Sequence, residues 1–285
     1  MTSGKILDLV ALAAPYLAKH GSASPRLDAE LLLAQTLGVD RMDLYLQFER
    51  PLNDAEVDAF RGLCRRRAGG EPVAYIRGRR EFMSLDLLVT PAVMIPRPET
   101  EVLVEEGLRR LRESIAGGHE HPRALDVGTG SGAIAVALAS HCPEVEVVAT
   151  ERSEAALEVA RSNIERLELK DRVELRRADL GDGIDGTFDL VAANLPYIDP
   201  EWEDAVTAEV VASEPAEAIF GGKDGLEVIA RLLPGLPGLL GEGGAALLEF
   251  DPRARSQLAA LAARYGRASV LTDLAGRDRV LVLER

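Results

Sequence analysis

The stretch ALDVGTGSGAIAVALA, residues 124–139, decides the fold. It opens on an apolar run ending at Asp126, the pattern of a strand buried on both faces. Glycines follow at 128, 130 and 132, and then an Ala/Ile/Val/Leu run of helical length. Glycines let the backbone turn tightly and approach a ligand with no Cβ in the way. Asp126 sets a carboxylate beside the turn, suited to a cationic or hydrogen-bond-donating ligand. Gly128-x-Gly130-x-x-Ala133 also satisfies the relaxed dinucleotide fingerprint. Glu151 closes the next predicted strand, about 20 residues on, where a carboxylate can accept from both ribose hydroxyls of an adenosine. The turn therefore fits NAD and S-adenosylmethionine equally well.

Outward from this turn, strands are predicted at 123–127, 145–150, 172–176, 188–193, 244–250, 267–272 and 279–284. Helices are predicted at 99–115, 131–140, 153–167, 222–240 and 253–264. Such alternation describes an α/β domain over 91–285, a mostly parallel sheet with helices on both faces. Ligands in such sheets bind at the carboxyl ends of the strands.

The first part of the chain reads differently. Ile6, Leu9, Val10, Ala13 and Leu17 recur at helical spacing, and Thr2 or Ser3 can start that helix. Asp8 interrupts the apolar run, so it is an amphipathic helix and not a cleaved leader. Pro25 after Ser24 opens a second helix that Gly38 stops, and Asn53 with Glu56 forms a capping box for a third. These short helices need one another to bury their apolar faces, which makes residues 1–72 a small helical bundle. Gly69, Gly70 and Pro72 end it. The alternation from Val73 to Val89 reads as a β-hairpin linker over 73–90.

A second loop separates the two cofactors. FDLVAANLPYI, residues 188–198, is a buried strand that delivers Asn194-Leu195-Pro196-Tyr197 to the same sheet edge. Asn and Pro are ordinary turn residues, yet the aromatic at the fourth place and the position beside a nucleotide turn point to a planar substrate. An amide or aromatic-amine nitrogen is a poor nucleophile, because its lone pair is delocalised. Hydrogen-bond acceptors on its N–H groups hold the lone pair toward an incoming methyl group. Asn194 Oδ1 and the Leu195 carbonyl supply such acceptors, and Tyr197 supplies a stacking face. Transfer to a nitrogen so held is a matter of positioning, with no dedicated base needed beforehand. NAD chemistry has no use for this loop, so S-adenosylmethionine is the cofactor of choice.

Composition bounds the rest. The 285 residues are 47% hydrophobic, enough for a sizeable core, and no run approaches the roughly 20 apolar residues of a membrane span. Cys64 and Cys142 are the only cysteines and lack metal-ligand spacing, so a reducing cytoplasmic setting and no metal are expected. The formal charge is +2 over residues 1–80 and −16 over the remainder, which disfavours stable nucleic-acid binding. Arg65-Arg66-Arg67 with Arg77, Arg79 and Arg80 is the one basic cluster, read either as a solvated helix end or as a partner contact.

Several further segments carry a family resemblance: PVAYIRGRREF at 72–82, IPRPETE at 95–101, Glu214-Pro215, GGKDGL at 221–226 and DLAGRDRV at 273–280. With DVGTGSGAIA and ANLPYI, they make the chain resemble the HemK/PrmC family of release-factor glutamine N5-methyltransferases over nearly its whole length. The resemblance implies a class I, Rossmann-like methyltransferase domain with a seven-stranded sheet, and a helical N-terminal domain that helps dock a class-1 release factor. The substrate would be the glutamine of the factor's Gly-Gly-Gln loop, and the protein a monomer. By matching positions, Asp126, Gly128, Thr129, Gly130, Ser131, Gly132, Glu151, Asp179, Leu180 and Asn194 would hold the cofactor, Leu180 against its adenine. Asn194, Pro196 and Tyr197 would be catalytic. Those three with Leu195, Arg97 and Glu99 would meet the substrate.

Three positions depart from the family pattern. Leu195 stands where proline is usual, Glu151 where aspartate is commoner, and Asp251 where a glycine usually follows Leu-Glu-hydrophobic. Asn-Leu-Pro-Tyr also occurs in RNA adenine dimethylases. A ribosomal-protein glutamine methyltransferase, an adenine N6-methyltransferase and a non-catalytic cofactor-binding scaffold therefore stand as rivals.

Overall fold

The computed structural model describes residues 4–202 and 204–285. Thr2 and Ser3, offered above as the first helix start, lie outside them. The helices α1 (Ile6–Lys19), α2 (Pro25–Leu37), α3 (Arg41–Leu46), α4 (Asp54–Ala68) and α5 (Val73–Arg77) come first. A hairpin of β1 (Arg79–Phe82) and β2 (Leu85–Leu88) follows, and then α6 (Glu101–Ala116) after a 3-10 turn at Pro98–Thr100. Next come β3 (Arg123–Val127), α7 (Ala133–His141), β4 (Glu146–Glu151), α8 (Glu154–Arg166), β5 (Val173–Arg177) and β6 (Phe188–Ala193). Four short helices, α9 (Ala208–Ser213), α10 (Ala216–Ile219), α11 (Glu227–Leu232) and α12 (Leu236–Leu239), lead to β7 (Leu240–Glu249). The chain closes with α13 (Arg255–Ala262), β8 (Arg267–Thr272) and β9 (Asp278–Glu284). No helix of the described residues is long and apolar enough to cross a membrane.

Two compact units result. The helical unit comprises the chain up to Arg79 together with Ala208–Ser213. Helix α1 buries Ile6, Leu9, Val10, Ala13 and Leu17, the five positions its periodicity marks. Helix α2 starts on Pro25 and stops at Gly38 with φ +64°. The predicted capping box is formed: Glu56 N donates to Asn53 Oδ1 and Asn53 N to Glu56 Oε2, each at 2.9 Å. Neither reading of the basic cluster holds for Arg67. Its guanidinium is buried and pairs with Asp28 of α2 at 2.8 Å and Glu209 of α9 at 2.6 Å, which ties α9 into this unit.

The hairpin is shorter than the alternation over 73–89 suggests, because residues 73–77 are helical. Pro72 caps that turn, Gly78 ends it at φ +69°, and the consecutive Tyr75 and Ile76 are both buried, a pattern no half-exposed strand produces.

In the second unit, Arg80–Thr207 with Glu214–Arg285, seven strands form one sheet in the order β5-β4-β3-β6-β7-β9-β8. The first five run parallel, and β9 is antiparallel to both its neighbours. Separate apolar layers cover the two faces. The order reverses beside β3, so its carboxyl end opens the crevice where such sheets hold ligands. The expected single helix over 222–240 is instead broken in pieces. Pro234 and Pro237 withhold backbone donors and restart the helix, and Asp224 takes φ +57° inside the preceding turn.

Candidate active site

The glycine turn after β3 is held from three sides. Gly128 N and Thr129 N both donate to Thr150 O at 2.9 Å, which anchors the turn on β4. Buried Asn163 of α8 donates to Ser131 O at 2.9 Å and to Leu88 O at 3.0 Å, and accepts from Leu88 N at 2.7 Å. Gly128, Gly130 and Gly132 sit at φ +73°, +55° and +84°, a region L side chains occupy only with strain.

Asp126 lies fully buried under this turn. Its Oδ2 accepts from Thr129 Oγ1 at 2.5 Å and Ala135 N at 3.0 Å. Its Oδ1 has no hydrogen-bond partner among the described residues. Burial, with a smaller contribution from the Glu151 charge, pushes the Asp126 carboxyl up to about 7 against those two donors. Glu151 is already engaged: Oε2 accepts from Gly130 N at 3.1 Å, and Oε1 from Arg152 N at 2.8 Å and Ser153 N at 2.9 Å.

The cleft at the sheet edge encloses about 1060 Å³, its open mouth included, room for a nucleoside with a tail. Gly128, Thr129, Gly130, Ser131, Glu151, Asp179, Leu180, Asn194, Leu195 and Pro196 all line it. Asp126, Gly132, Arg97, Glu99 and Tyr197 do not. Asp179 carries an ion pair to Arg231 at 2.6 Å. Leu180 adopts φ +55°, a conformation that costs a branched side chain about 1 kcal/mol or more.

The second loop is fixed from behind. Asn194 Nδ2 donates to the buried Thr100 Oγ1 at 2.9 Å, and Tyr197 Oη donates to Glu249 Oε1 at 2.9 Å. Burial first, and then Glu249, push the Tyr197 phenol well above its ordinary range, so it stays neutral. Glu249 is fully buried at the end of β7, and burial raises its own carboxyl. A sulfonium nucleoside with an amino-acid tail fits this chemistry. The orphaned Asp126 Oδ1 and the glycine turn suit a polar tail, while Leu180, Ile134 and Val228 offer apolar cover for a flat base.

Known proteins bear on this geometry. Residues 8–78 match the PrmC N-terminal domain, and residues 103–229 match the methyltransferase small domain. A release factor glutamine methyltransferase of Rhodopirellula baltica is 40% identical, with 100% of this chain and 97% of that protein aligned. One of Geobacter sulfurreducens is 42% identical over 93% and 92% of the two chains. The chain belongs to the release factor glutamine methyltransferase family. Among solved structures, a Pyrococcus furiosus methyltransferase superposes with TM-score 0.52, at 23% identity over 70% of this chain and 88% of that one. The T. thermophilus 16S rRNA methyltransferase RsmC gives 0.53, at 19% identity over 73% and 49%. Both likenesses speak to the fold.

Two of the three departures, Leu195 and Asp251, now have local explanations. A Cβ added at Gly128 would lie 2.8 Å from Leu195 Cδ2, so Leu195 packs against the bare glycine and is buried there. Asp251 has φ −77° and ψ 134° and caps the next turn through Arg253 N at 2.9 Å. No left-handed residue is needed there, so aspartate serves where the family usually has glycine.

The IPRPETE segment contributes otherwise than expected. Arg97 pairs at 2.5 Å with Glu214, whose other oxygen accepts from Ile95 N at 3.2 Å. Pro96 and Thr100 line the cleft, and Thr100 accepts from Asn194. Thr100, Glu249 and Asn163 are the residues sequence reasoning missed. Thr100 lay inside a quoted motif, and Glu249 in the Leu-Glu-hydrophobic pattern, but nothing local revealed that Thr100 meets Asn194 and Glu249 meets Tyr197. Among the described residues, no group of three or more His, Cys, Asp or Glu side chains is placed to hold a metal ion.

Proposed function

We propose that this chain transfers a methyl group from S-adenosylmethionine to the side-chain nitrogen, N5, of the glutamine in the Gly-Gly-Gln loop of class-1 peptide chain release factors. The observation that carries the reading is the orientation of Asn194. Its amide nitrogen is given to Thr100, so Oδ1 is left to accept an N–H from a planar amide entering the cleft that Asn194 lines. Two relatives aligned over 100% and 93% of this chain are named release factor glutamine methyltransferases, which supports the reading.

The cofactor supplies an electrophilic methyl group on a positively charged sulfur. The chain does the rest by placement. Asn194 Oδ1 and the Leu195 carbonyl accept the two N–H groups of the glutamine amide, which holds the plane of the nitrogen and directs its lone pair. Pro196, which lines the cleft, meets the flat group, while Tyr197, tied to Glu249 behind the loop, and Arg97 and Glu99 in the neighbouring segment support the site from outside that lining. Asp126 Oδ1, Glu151 and the turn from Gly128 to Gly132 hold the polar parts of the cofactor, with Asp179 and Leu180 at its base. Once the nitrogen has gained its methyl group it is strongly acidic, and one of its two N–H protons, held at Asn194 Oδ1 and the Leu195 carbonyl, is lost to water. Fixed acceptors of this kind cost no reorganisation during the reaction.

Docking of the factor falls to the helical unit. Eight of the nine large apolar side chains that stand exposed among the described residues belong to it, Leu12, Met42 and Leu46 foremost. Exposed apolar surface of that kind marks binding faces. The same reading puts the protein in the cytoplasm, acting as a monomer.

The test is mass spectrometry of a bacterial release factor after incubation with the protein and S-adenosylmethionine. A gain of one methyl group on the Gly-Gly-Gln glutamine is expected. An unmodified glutamine, with cofactor binding demonstrated in the same sample, would overturn the reading.

A further inference from the structure

We infer that Glu214 is a positioning residue: this buried carboxylate clamps the 94–100 segment to the 214–218 segment and so fixes the wall of the cleft beside Asn194. The inference rests on the proposed amide-methylating role of Asn194. Both segments belong to the cleft: Met94, Pro96 and Thr100 line it from one, and Pro215, Glu217 and Ala218 from the other. Glu214 stands behind that lining, with its side chain 1% exposed. Its Oε1 accepts from Arg97 Nη2 at 2.5 Å, and its Oε2 accepts from Ile95 N at 3.2 Å. One side chain thus grips the other segment at two points, by a side chain and by the backbone.

The path to Asn194 can be followed bond by bond. Arg97 precedes the 3-10 turn Pro98–Thr100, and Thr100 N donates back to Arg97 O at 3.1 Å. Thr100 Oγ1 then accepts from Asn194 Nδ2 at 2.9 Å. Pro96 and Pro98 flank Arg97 with fixed φ, so the stretch from Ile95 to Thr100 is stiff, and what holds Ile95 and Arg97 holds Thr100. A guanidinium and a backbone N–H are both donors only. A carboxylate offers each of them an acceptor, with no proton of its own in the way. A glutamine at 214 has the same shape but one acceptor and one N–H₂. Either Arg97 or the Ile95 N–H would then face a donor, and the segment would leave its seat, carrying Thr100 and its bond to Asn194 with it.

Glu214→Gln should lower kcat for release-factor methylation about 10- to 100-fold, with cofactor affinity and the KM for the factor within about threefold of wild type. Turnover is counted per cofactor-binding site, titrated by calorimetry, so a variant that merely folds less well keeps its kcat. Arg97→Met, at the partly exposed end of the pair, breaks the same clamp and leaves the bond to Ile95 N in place. It should lose kcat to a similar degree, and Arg97→Lys should recover part of the loss. The double variant should be little worse than the worse single, because both break one link. A readout free of turnover is the side-chain ¹⁵N–¹H pair of Asn194, assigned by its loss in Asn194→Asp. It should shift in Glu214→Gln and in Arg97→Met. An unmoved Asn194 signal overturns the inference, as does a kcat per site near wild type or multiplicative losses in the double variant. Should Glu214→Gln fail to fold, the two Arg97 variants decide by the same criteria. If the wild-type protein itself leaves the glutamine unmodified, the reaction reading falls, and the Asn194 signal alone decides the role of Glu214.

Discussion

Asp126 and Asn194 show how much a single side chain carries here. Asp126 is an acid whose folded-state pKa is raised, to about 7, chiefly by burial. Its contribution to stability is therefore greatest below the ordinary carboxylate range and is lost as pH rises toward 7. By pH 8 the native state carries roughly 4 kcal/mol of unfavourable buried charge. Asp126→Asn should raise Tm by about 5 °C at pH 8, with a smaller gain at pH 5, as differential scanning calorimetry at the two pH values would show. The same substitution puts an amide N–H₂ where the orphaned Oδ1 now sits. Cofactor affinity should drop about tenfold or more by isothermal titration, and an unchanged affinity would remove Asp126 from the cofactor site. Asn194→Ala should lower kcat about 100-fold or more while Tm stays close to wild type. Turnover near the wild-type rate would sink its proposed role.

At the scale of elements, the substrate loop owes its shape to a neighbour far along the chain. The turn at 221–226 presses bare backbone against it. A Cβ at Gly225 would lie 2.0 Å from Tyr197 O, and one at Gly221 2.3 Å from Pro196 O. Gly225 also sits at φ +67°. Gly225→Ala should therefore cost about 2 kcal/mol or more, seen in urea unfolding, and should lower turnover along with stability. The GGKDGL motif is thus a buttress for Asn194 to Tyr197, although nothing in its own composition says so. The broken helix after it has a local cause, Pro234 and Pro237, which the apolar periodicity over 222–240 concealed.

Across the whole molecule, charge and apolar exposure divide between the two parts. Formal charge is +2 over residues 1–80 and −16 beyond them, and exposed large apolar side chains concentrate in the helical unit. Leu46 is 74% exposed, so Leu46→Asp should leave Tm nearly unchanged. If that face docks the release factor, the KM for the factor should rise about tenfold while cofactor affinity holds. Equal effects on both, or on neither, would assign the face another use.

What the sequence determined by itself is what depends on near neighbours along the chain. Helix starts at Pro25 and Asn53, the glycine turn after β3 and the alternation of strands and helices are all set by residues a few places apart, where backbone sterics and capping act. Those same local patterns carried the family likeness. The tertiary structure alone decided which distant groups meet: Arg67 with Asp28 and Glu209, Gly225 with Tyr197, Thr100 with Asn194, and Glu249 with Tyr197. A buried charge or a bare glycine is legible as a residue type, but its partner is chosen by chain folding, because hydrogen bonds and close packing act over a few ångströms of space and not over sequence.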